Sequence, residues 1–246
     1  MPVFFVPPQC VMPPSISITG DLLIHIRNSL RTAVGETLWF GDGQGTRYRA
    51  KITDVSKQAV TGHILETVQE PLRRIPRLIL GQSLLKGEKM DWVIQKATEL
   101  GVDELVPIES RHSVVQLKAD RVGHQLIRWQ RIVVEAAQQS EQWRVPSIAV
   151  PRSLPALLTS REPNTLILML AERQNGRYLQ TVELPKDASG SLLVLIGPEG
   201  GWSQEELQIA GQAGVTPISL GQHILRSETA AIAAISILQS RLGRLG

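Results

Sequence analysis

The chain has 246 residues, enough for one large domain or two modest ones, and 42% of them are hydrophobic, ample for a sizeable core. Its 26 Lys and Arg against 23 Asp and Glu give a formal charge of +3; the sequence pI of about 9.2 fits a protein that meets a polyanion on one face, though many proteins without such a partner are as basic. A single cysteine, Cys10, excludes a disulfide framework and a cysteine-based zinc site, and suits a reducing compartment.

Met1-Pro2-Val3-Phe4-Phe5-Val6-Pro7-Pro8 has neither the basic leader nor the apolar core of a signal peptide, and no run reaches membrane-spanning length, so a cytoplasmic protein is expected. Residues 15–68 then show short segments and frequent turn residues. Thr19-Gly20-Asp21 starts a helix through Leu22, Leu23, Ile26 and Leu30 that ends before Gly35. Strands are expected over 36–40, 46–55 and 59–68, and a small β-barrel is their natural closure. The turn Gly41-Asp42-Gly43-Gln44-Gly45 has neither G-x-G-x-x-G spacing nor a following helix, so it reads as a hairpin and not a nucleotide loop. Arg27, Arg31, Arg47, Arg49 and Lys51 carry the groups that bind phosphate, and equally the groups of a solvated face.

Glu70-Pro71-Leu72-Arg73-Arg74-Ile75-Pro76 reads as a linker, which divides the chain into domains 1–72 and 73–246. Beyond it the pattern alternates: a strand over 77–81, a helix over 88–100 stopped by Gly101, a strand over 104–108 and a long helix over about 120–143. A short extended stretch at 146–150, a short helix near 153–158 and a strand at 165–170 follow. This predicts an α/β fold with a parallel sheet covered by helices. Lys86, Lys89, Lys96 and the loop Ser110-Arg111-His112-Ser113 fall at strand ends or helix starts. Lys96 with Glu99 also reads as an ordinary i,i+3 surface pair. Gln138, Gln139, Gln142 and Arg144 gather at a helix end, placed either to bond a base or to dress a wet surface.

The last fifty residues carry two glycine-rich turns. Leu192-Leu193-Val194-Leu195-Ile196 is a run typical of a strand buried on both faces, and Gly197-Pro198-Glu199-Gly200-Gly201 follows it. Ser203 and Glu206 form a capping box for a helix that Gly214 stops. A second apolar stretch, 215–220, leads into Leu220-Gly221-Gln222-His223-Ile224-Leu225-Arg226-Ser227-Glu228-Thr229-Ala230. The helix beyond, 228–242, is apolar nearly all round, and so is buried or lies at a subunit interface. Two strand–turn–helix units place both turns at the carboxyl ends of neighbouring strands, where open α/β sheets bind ligands. Glycine content alone fits tight connections just as well. Neither G-x-G-x-x-G nor G-x-x-x-x-G-K-[ST] occurs, which counts against Rossmann and P-loop enzymes.

In their wording, Leu195-Ile196-Gly197-Pro198-Glu199-Gly200-Gly201-Trp202-Ser203 and Leu220-Gly221 through Ile224-Leu225-Arg226-Ser227-Glu228-Thr229-Ala230 resemble the RsmE-type 16S ribosomal RNA uracil-N3 methyltransferases of the SPOUT superfamily. The resemblance extends to Gln95-Lys96-Ala97-Thr98-Glu99-Leu100-Gly101-Val102, to Glu135-Ala136-Ala137-Gln138-Gln139-Ser140 and to Arg27-Asn28-Ser29-Leu30-Arg31. It implies a PUA-like RNA-binding β-barrel over 1–72 and a SPOUT methyltransferase domain over 73–246, whose parallel sheet ends in a C-terminal trefoil knot. It also implies a homodimer with the apolar last helix at its interface, S-adenosyl-L-methionine as cofactor, and 16S rRNA in the small ribosomal subunit as substrate, without metal or membrane.

The residues that the resemblance assigns to the cofactor are Leu170, Leu195, Ile196, Gly197, Pro198, Glu199, Gly200, Gly201, Leu220, Gly221, Ile224, Leu225, Thr229 and Ala230. Those it assigns to RNA are Arg27, Arg31, Arg47, Lys86, Lys96, Arg111 and Arg144. Methylation at uracil N3 requires loss of the N3 proton. Arg226, always protonated, is the candidate to stabilise the resulting charge on the uracil oxygens. Glu228 either accepts the proton or caps the helix start, where a carboxylate is favoured. His223, the Ser110-Arg111-His112-Ser113 loop and Gln142 depart from the family's usual wording and remove fixed positive charge, which bears on the RNA contacts.

Overall fold

The computed structural model describes residues 3–28, 32–171 and 177–245. The chain divides into two compact units, Met1–Leu72 with Ala137–Val145, and Arg73–Ala136 with Pro146–Gly246.

In the first unit, β1 (Val3–Phe5), β2 (Val11–Met12), β3 (Ser15–Ile18), α1 (Gly20–Asn28), β4 (Thr37–Gly41), β5 (Thr46–Val55) and β6 (Val60–Gln69) follow in order. The strands form one mixed sheet in the order β1-β4-β5-β6-β3-β2, with β1 parallel to β4 and every other pair antiparallel. Alternation along β5 sends Ala50 and Ile52 inward to meet Phe4, Ile16, Phe40, Val60 and, from α1, Leu23 and Ile26. Strands from both ends of the sheet therefore share one core. The expected small barrel is a half-barrel, with edges at β1 and β2 and register shifts in β5 that bend it. The glycine turn between β4 and β5 is a hairpin: Asp42 Oδ1 accepts from Gln44 N at 2.7 Å and Thr46 N at 2.9 Å. Leu30 and Arg31, expected at the helix end, lie outside the described residues.

The second unit begins with β7 (Arg77–Ser83), α2 (Glu88–Glu99), β8 (Glu104–Glu109) and α3 (Ala119–Gln139), whose last residues belong to the first unit. Next come β9 (Ser147–Ile148), β10 (Arg152–Ser153), α4 (Leu154–Thr159), β11 (Thr165–Leu170), β12 (Arg177–Tyr178), β13 (Ser191–Ile196), α5 (Gln204–Gln212), β14 (Thr216–Ser219) and α6 (Ser227–Arg241). The α3 helix stops earlier than its pattern suggests. Glu141 takes a left-handed φ of 52°, and Gln142 N reaches back to Ala137 O at 3.0 Å, a Schellman-type end.

Eight strands make one wholly parallel sheet in the order β10-β8-β7-β13-β11-β14-β12, with β9 also on β8. β13 is buried at every position, as its unbroken apolar run requires. Gly81 in β7 admits its neighbours closely: a Cβ there would stand 2.6 Å from Leu195 Cδ2.

The two strands that carry the glycine turns are not adjacent, because β11 lies between them. After β11 the chain forms β12 at the sheet edge, then β13 on the other side of β11, crosses back to β14 between β11 and β12, and returns as α6 to pack on α2 and β13. Gln239 of α6 donates to the carbonyls of Leu100 at 2.6 Å and Gly101 at 2.7 Å, satisfying the carboxyl end of α2. The buried face of α6 is Ala230, Ala231, Ala234, Ile235 and Leu238.

The capping box of α5 forms as the sequence predicts and has a second use. Glu206, 7% exposed, accepts from Ser203 N at 2.8 Å and, through its other oxygen, from Arg111 N at 3.0 Å. Replacing it leaves two amides without an acceptor. Glu206→Ala is expected to lower the free energy of unfolding, measured by urea denaturation, by about 2 kcal/mol. A loss below about 0.5 kcal/mol, the range of ordinary surface substitutions, contradicts this role.

Candidate active site

The carboxyl ends of β11 and β13, the turn before α6 and the start of α2 enclose a cleft of about 370 Å³, within the usual range for small-molecule sites. Its lining combines apolar walls from Leu170, Ile196, Pro198, Ile224, Leu225 and Ala230 with backbone at Gly197 and Gly201 and the polar side chains of Lys89, Glu199, Arg226 and Ser227.

The first turn closes through Gly201 N donating to Pro198 O at 2.9 Å. Its glycines serve different ends. Gly201 has φ +71°, a conformation that side chains disfavour, whereas Gly197 and Gly200 make room. A Cβ at Gly197 would stand 3.1 Å from Trp202 Nε1, and one at Gly200 would stand 2.9 Å from His112 Cβ. Trp202 uses that space to donate from Nε1 to Leu170 O at 3.0 Å, tying the end of β11 to the turn. His112 Nδ1 lies 3.1 Å from Gly201 O, so the 110–113 loop is fastened to the same turn.

The second turn passes through Gly221 at φ +142° and reaches Arg226, the residue that caps α6 in extended conformation. Ser227 begins the helix. Its hydroxyl donates to Gly197 O at 2.5 Å and accepts from Gln82 Nε2 at 3.0 Å, joining the two turns and β7. Glu228 stands in the first helical turn, where the macrodipole favours a carboxylate. Its Oε1 is 3.4 Å from Lys89 Nζ, which is 3.2 Å from Glu199 Oε1. The hydrogen bond to Glu199, supported by Glu228, holds the Lys89 ammonium above the usual lysine range. Lys89 is thus a fixed cation at neutral pH and not a base. Glu228 Oε2 is buried and has no hydrogen-bond partner among the described residues.

The cleft brings together Leu170, Ile196, Gly197, Pro198, Glu199, Gly201, Ile224, Leu225, Ala230 and Arg226. Leu220 and Gly221 line a small recess beside it, with Leu170, Ile224 and Leu225. Leu195 is wholly buried in the sheet core, Gly200 faces His112, and Thr229 is exposed on α6. Glu228 stands behind Lys89, outside the lining. Gln82 is a site residue that the sequence does not point out; Lys89 is named there only for its place near a helix start, and Trp202 and Ser227 only as part of the motif wording. Two carry a signal in retrospect. Lys89 is a cation in the first turn of a helix, against the dipole, and Gln82 is a long amide in a buried strand.

Of the expected RNA contacts, Arg27, Arg47 and Arg144 lie in the first unit, with Arg31 outside the described residues. The Arg47 guanidinium stacks 3.8 Å from the Trp143 ring centre and bonds Glu141 O, and burial draws its pKa down. Arg144 pairs with Glu70. In the second unit Lys86 and Arg111 are exposed, and Lys96 pairs with Glu99 at 2.8 Å, the ordinary helical ion pair.

Residues 73–239 match the RNA methyltransferase domain family, and residues 18–65 match the RNA methyltransferase PUA domain. Ribosomal RNA small subunit methyltransferase E of Bacillus subtilis is 33% identical over 233 residues, spanning 92% of this chain and 90% of its own. The protein of the same name from Synechocystis is 31% identical, spanning 96% of this chain and 77% of its own. Among solved structures, ribosomal RNA small subunit methyltransferase E from Neisseria gonorrhoeae bound to S-adenosyl methionine superposes with a TM-score of 0.87 at 30% identity, covering 98% of both chains. A methyltransferase from Legionella pneumophila in complex with the same cofactor gives 0.86 at 26% identity, covering 97% of both. With a catalytic-domain match across most of its length, a PUA match ahead of it and full-length relatives that share one name, the chain belongs to the RsmE-type RNA methyltransferase family of the SPOUT superfamily.

Proposed function

We propose that the protein transfers a methyl group from S-adenosylmethionine to N3 of a uracil in 16S rRNA of the small ribosomal subunit, acting as a cytoplasmic homodimer. The observation that carries this reading is the junction of the two turns. One cleft of about 370 Å³ combines apolar walls, open backbone and charged groups, which suits an adenosine joined to a charged amino-acid tail. Ile196, Ile224, Leu225 and Ala230 would wall the adenosine, and backbone at Gly197 and Gly201 would be available to its polar edge. The bound cofactor supplies an electrophilic methyl carbon on a sulfonium. The return of α6 past β11 is compatible with the trefoil knot that the family implies.

Arg226 is the catalytic residue in this reading. It lines the cleft, on a backbone that begins α6, and its guanidinium stabilises the negative charge that develops on the uracil oxygens as N3 loses its proton. It does not accept that proton. Glu228 is ill placed to do so, with one oxygen on Lys89 and the other buried. It acts by fixing Lys89 and the helix start, and the proton passes to water. Lys89 holds Glu199 and Glu228 together, and so holds the first turn against α6. The exposed Arg111 and Lys86, and the basic residues of the first unit, supply contacts to RNA phosphates.

Small subunits from cells lacking the endogenous enzyme, labelled S-adenosylmethionine and mass spectrometry of the digested RNA test the assignment. N3-methyluridine in 16S rRNA is expected with the native protein. Arg226→Ala is expected to reduce kcat by about a hundredfold while leaving cofactor affinity within a few-fold. Label in transfer RNA instead, or unchanged turnover in Arg226→Ala, contradicts the reading. Lys89→Met, which unlinks the two carboxylates, is expected to lower kcat/KM by about tenfold. Because ion pairing raises the Lys89 pKa, its contribution is fully present at neutral pH and is lost only as pH rises through that raised value. Lys89 therefore adds no inflection to the native pH–rate profile between about pH 6 and 9, and an inflection that disappears in Lys89→Met is the contrary result.

A further inference from the structure

Gln82 lies at the carboxyl end of β7, opposite Ile196 of β13, and is 1% exposed. A long amide buried in a sheet strand is costly unless its groups are bonded. Both amide hydrogens are used, since Nε2 donates to Ser83 O and to Ser227 Oγ, each at 3.0 Å, while Oε1 is buried without a hydrogen-bond partner among the described residues. The reverse orientation would set Oε1 against the Ser83 carbonyl, acceptor against acceptor, so the amide has one acceptable direction. Ser227 receives that bond on oxygen and is left with a single proton to give. The proton goes to Gly197 O at 2.5 Å.

The chain of bonds therefore has a fixed sense: the amide gives, the hydroxyl relays and the carbonyl receives, each bond polarising the next. Its ends matter. Gly197 opens the first turn, and Ser227 directly follows Arg226. A side chain outside the cleft lining thus governs where both turns stand relative to β7.

We propose that Gln82 is a positioning residue for methyl transfer, acting through Ser227 to hold Gly197 and Arg226 in place; this rests on the reading of the cleft as the S-adenosylmethionine site. It lies outside the cleft lining.

The test is a double-mutant cycle in the full chain with Gln82→Leu, Ser227→Ala and the pair. Calorimetry gives the S-adenosylmethionine dissociation constant, and turnover at saturating cofactor gives kcat. Each single change is expected to weaken cofactor binding and to lower kcat by about tenfold. The double variant is expected to be no worse than the worse single, because both cut the same chain. Gln82→Glu keeps the size of the side chain and covers the case in which the leucine variant does not fold. Its carboxylate takes the Ser227 proton away from Gly197, so it is expected to lose as much as Gln82→Leu. Effects that multiply to about a hundredfold in the double variant, or native constants in either Gln82 variant, overturn the positioning role. If the native protein binds no S-adenosylmethionine, the reading of the cleft fails and the inference with it. Native binding and turnover that are indifferent to Gln82 overturn the inference alone.

Discussion

The hydrogen bond from Ser227 Oγ to Gly197 O, 2.5 Å long, is the contact on which the cleft depends. The strands that lead into the two turns are separated by β11, so no ladder hydrogen bond joins them. Without a side-chain tie the turns would be two unrelated loops at the top of a sheet. Ser227 makes that tie at the first residue of α6, where its backbone N–H lacks a helical partner and the chain direction is still being set. Trp202 makes a second tie, to the end of β11 between them. The glycines follow from these contacts: Gly197 is small because Trp202 lies against it, and Gly200 because His112 does.

Electrostatics gives the cleft its second layer of order. Lys89 spans carboxylates from both turns, Glu199 and Glu228, and so repeats with charge what Ser227 does with a neutral hydroxyl. The arrangement occupies both carboxylates with Lys89, while Arg226 makes no ion pair among the described residues. An arginine left unneutralised beside an apolar wall is suited to meeting negative charge that appears only during a reaction.

Much of the fold was legible because local rules and tertiary demands agree. The run 192–196 reads as a doubly buried strand and is one; Ser203 and Glu206 read as a capping box and form it; Gly101 and Gly214 read as helix stops and take left-handed φ of 80° and 75°. Where the reading fell short, the missing information was non-local. Strand order is not written in periodicity, so β13 and β14 looked like neighbours although β11 separates them. The end of α3 turned on a left-handed Glu141, a conformation that its side chain does not announce. Lys89 and Gln82 belong to the site through partners 110 and 145 residues away along the chain, and no spacing rule reaches so far. Leu195, by contrast, is a motif residue that the sheet core consumes entirely. The family wording located the cleft, and the contacts divided its residues into walls, ties and charge.

Backbone amide hydrogen exchange on the full chain, with and without saturating S-adenosylmethionine, addresses the union of the two turns most directly. If the turns form one cofactor cleft, amides at 199–201 and at 221–230 slow together, at the same ligand concentration. Protection of one turn without the other, or protection elsewhere while both remain unchanged, contradicts a shared cleft.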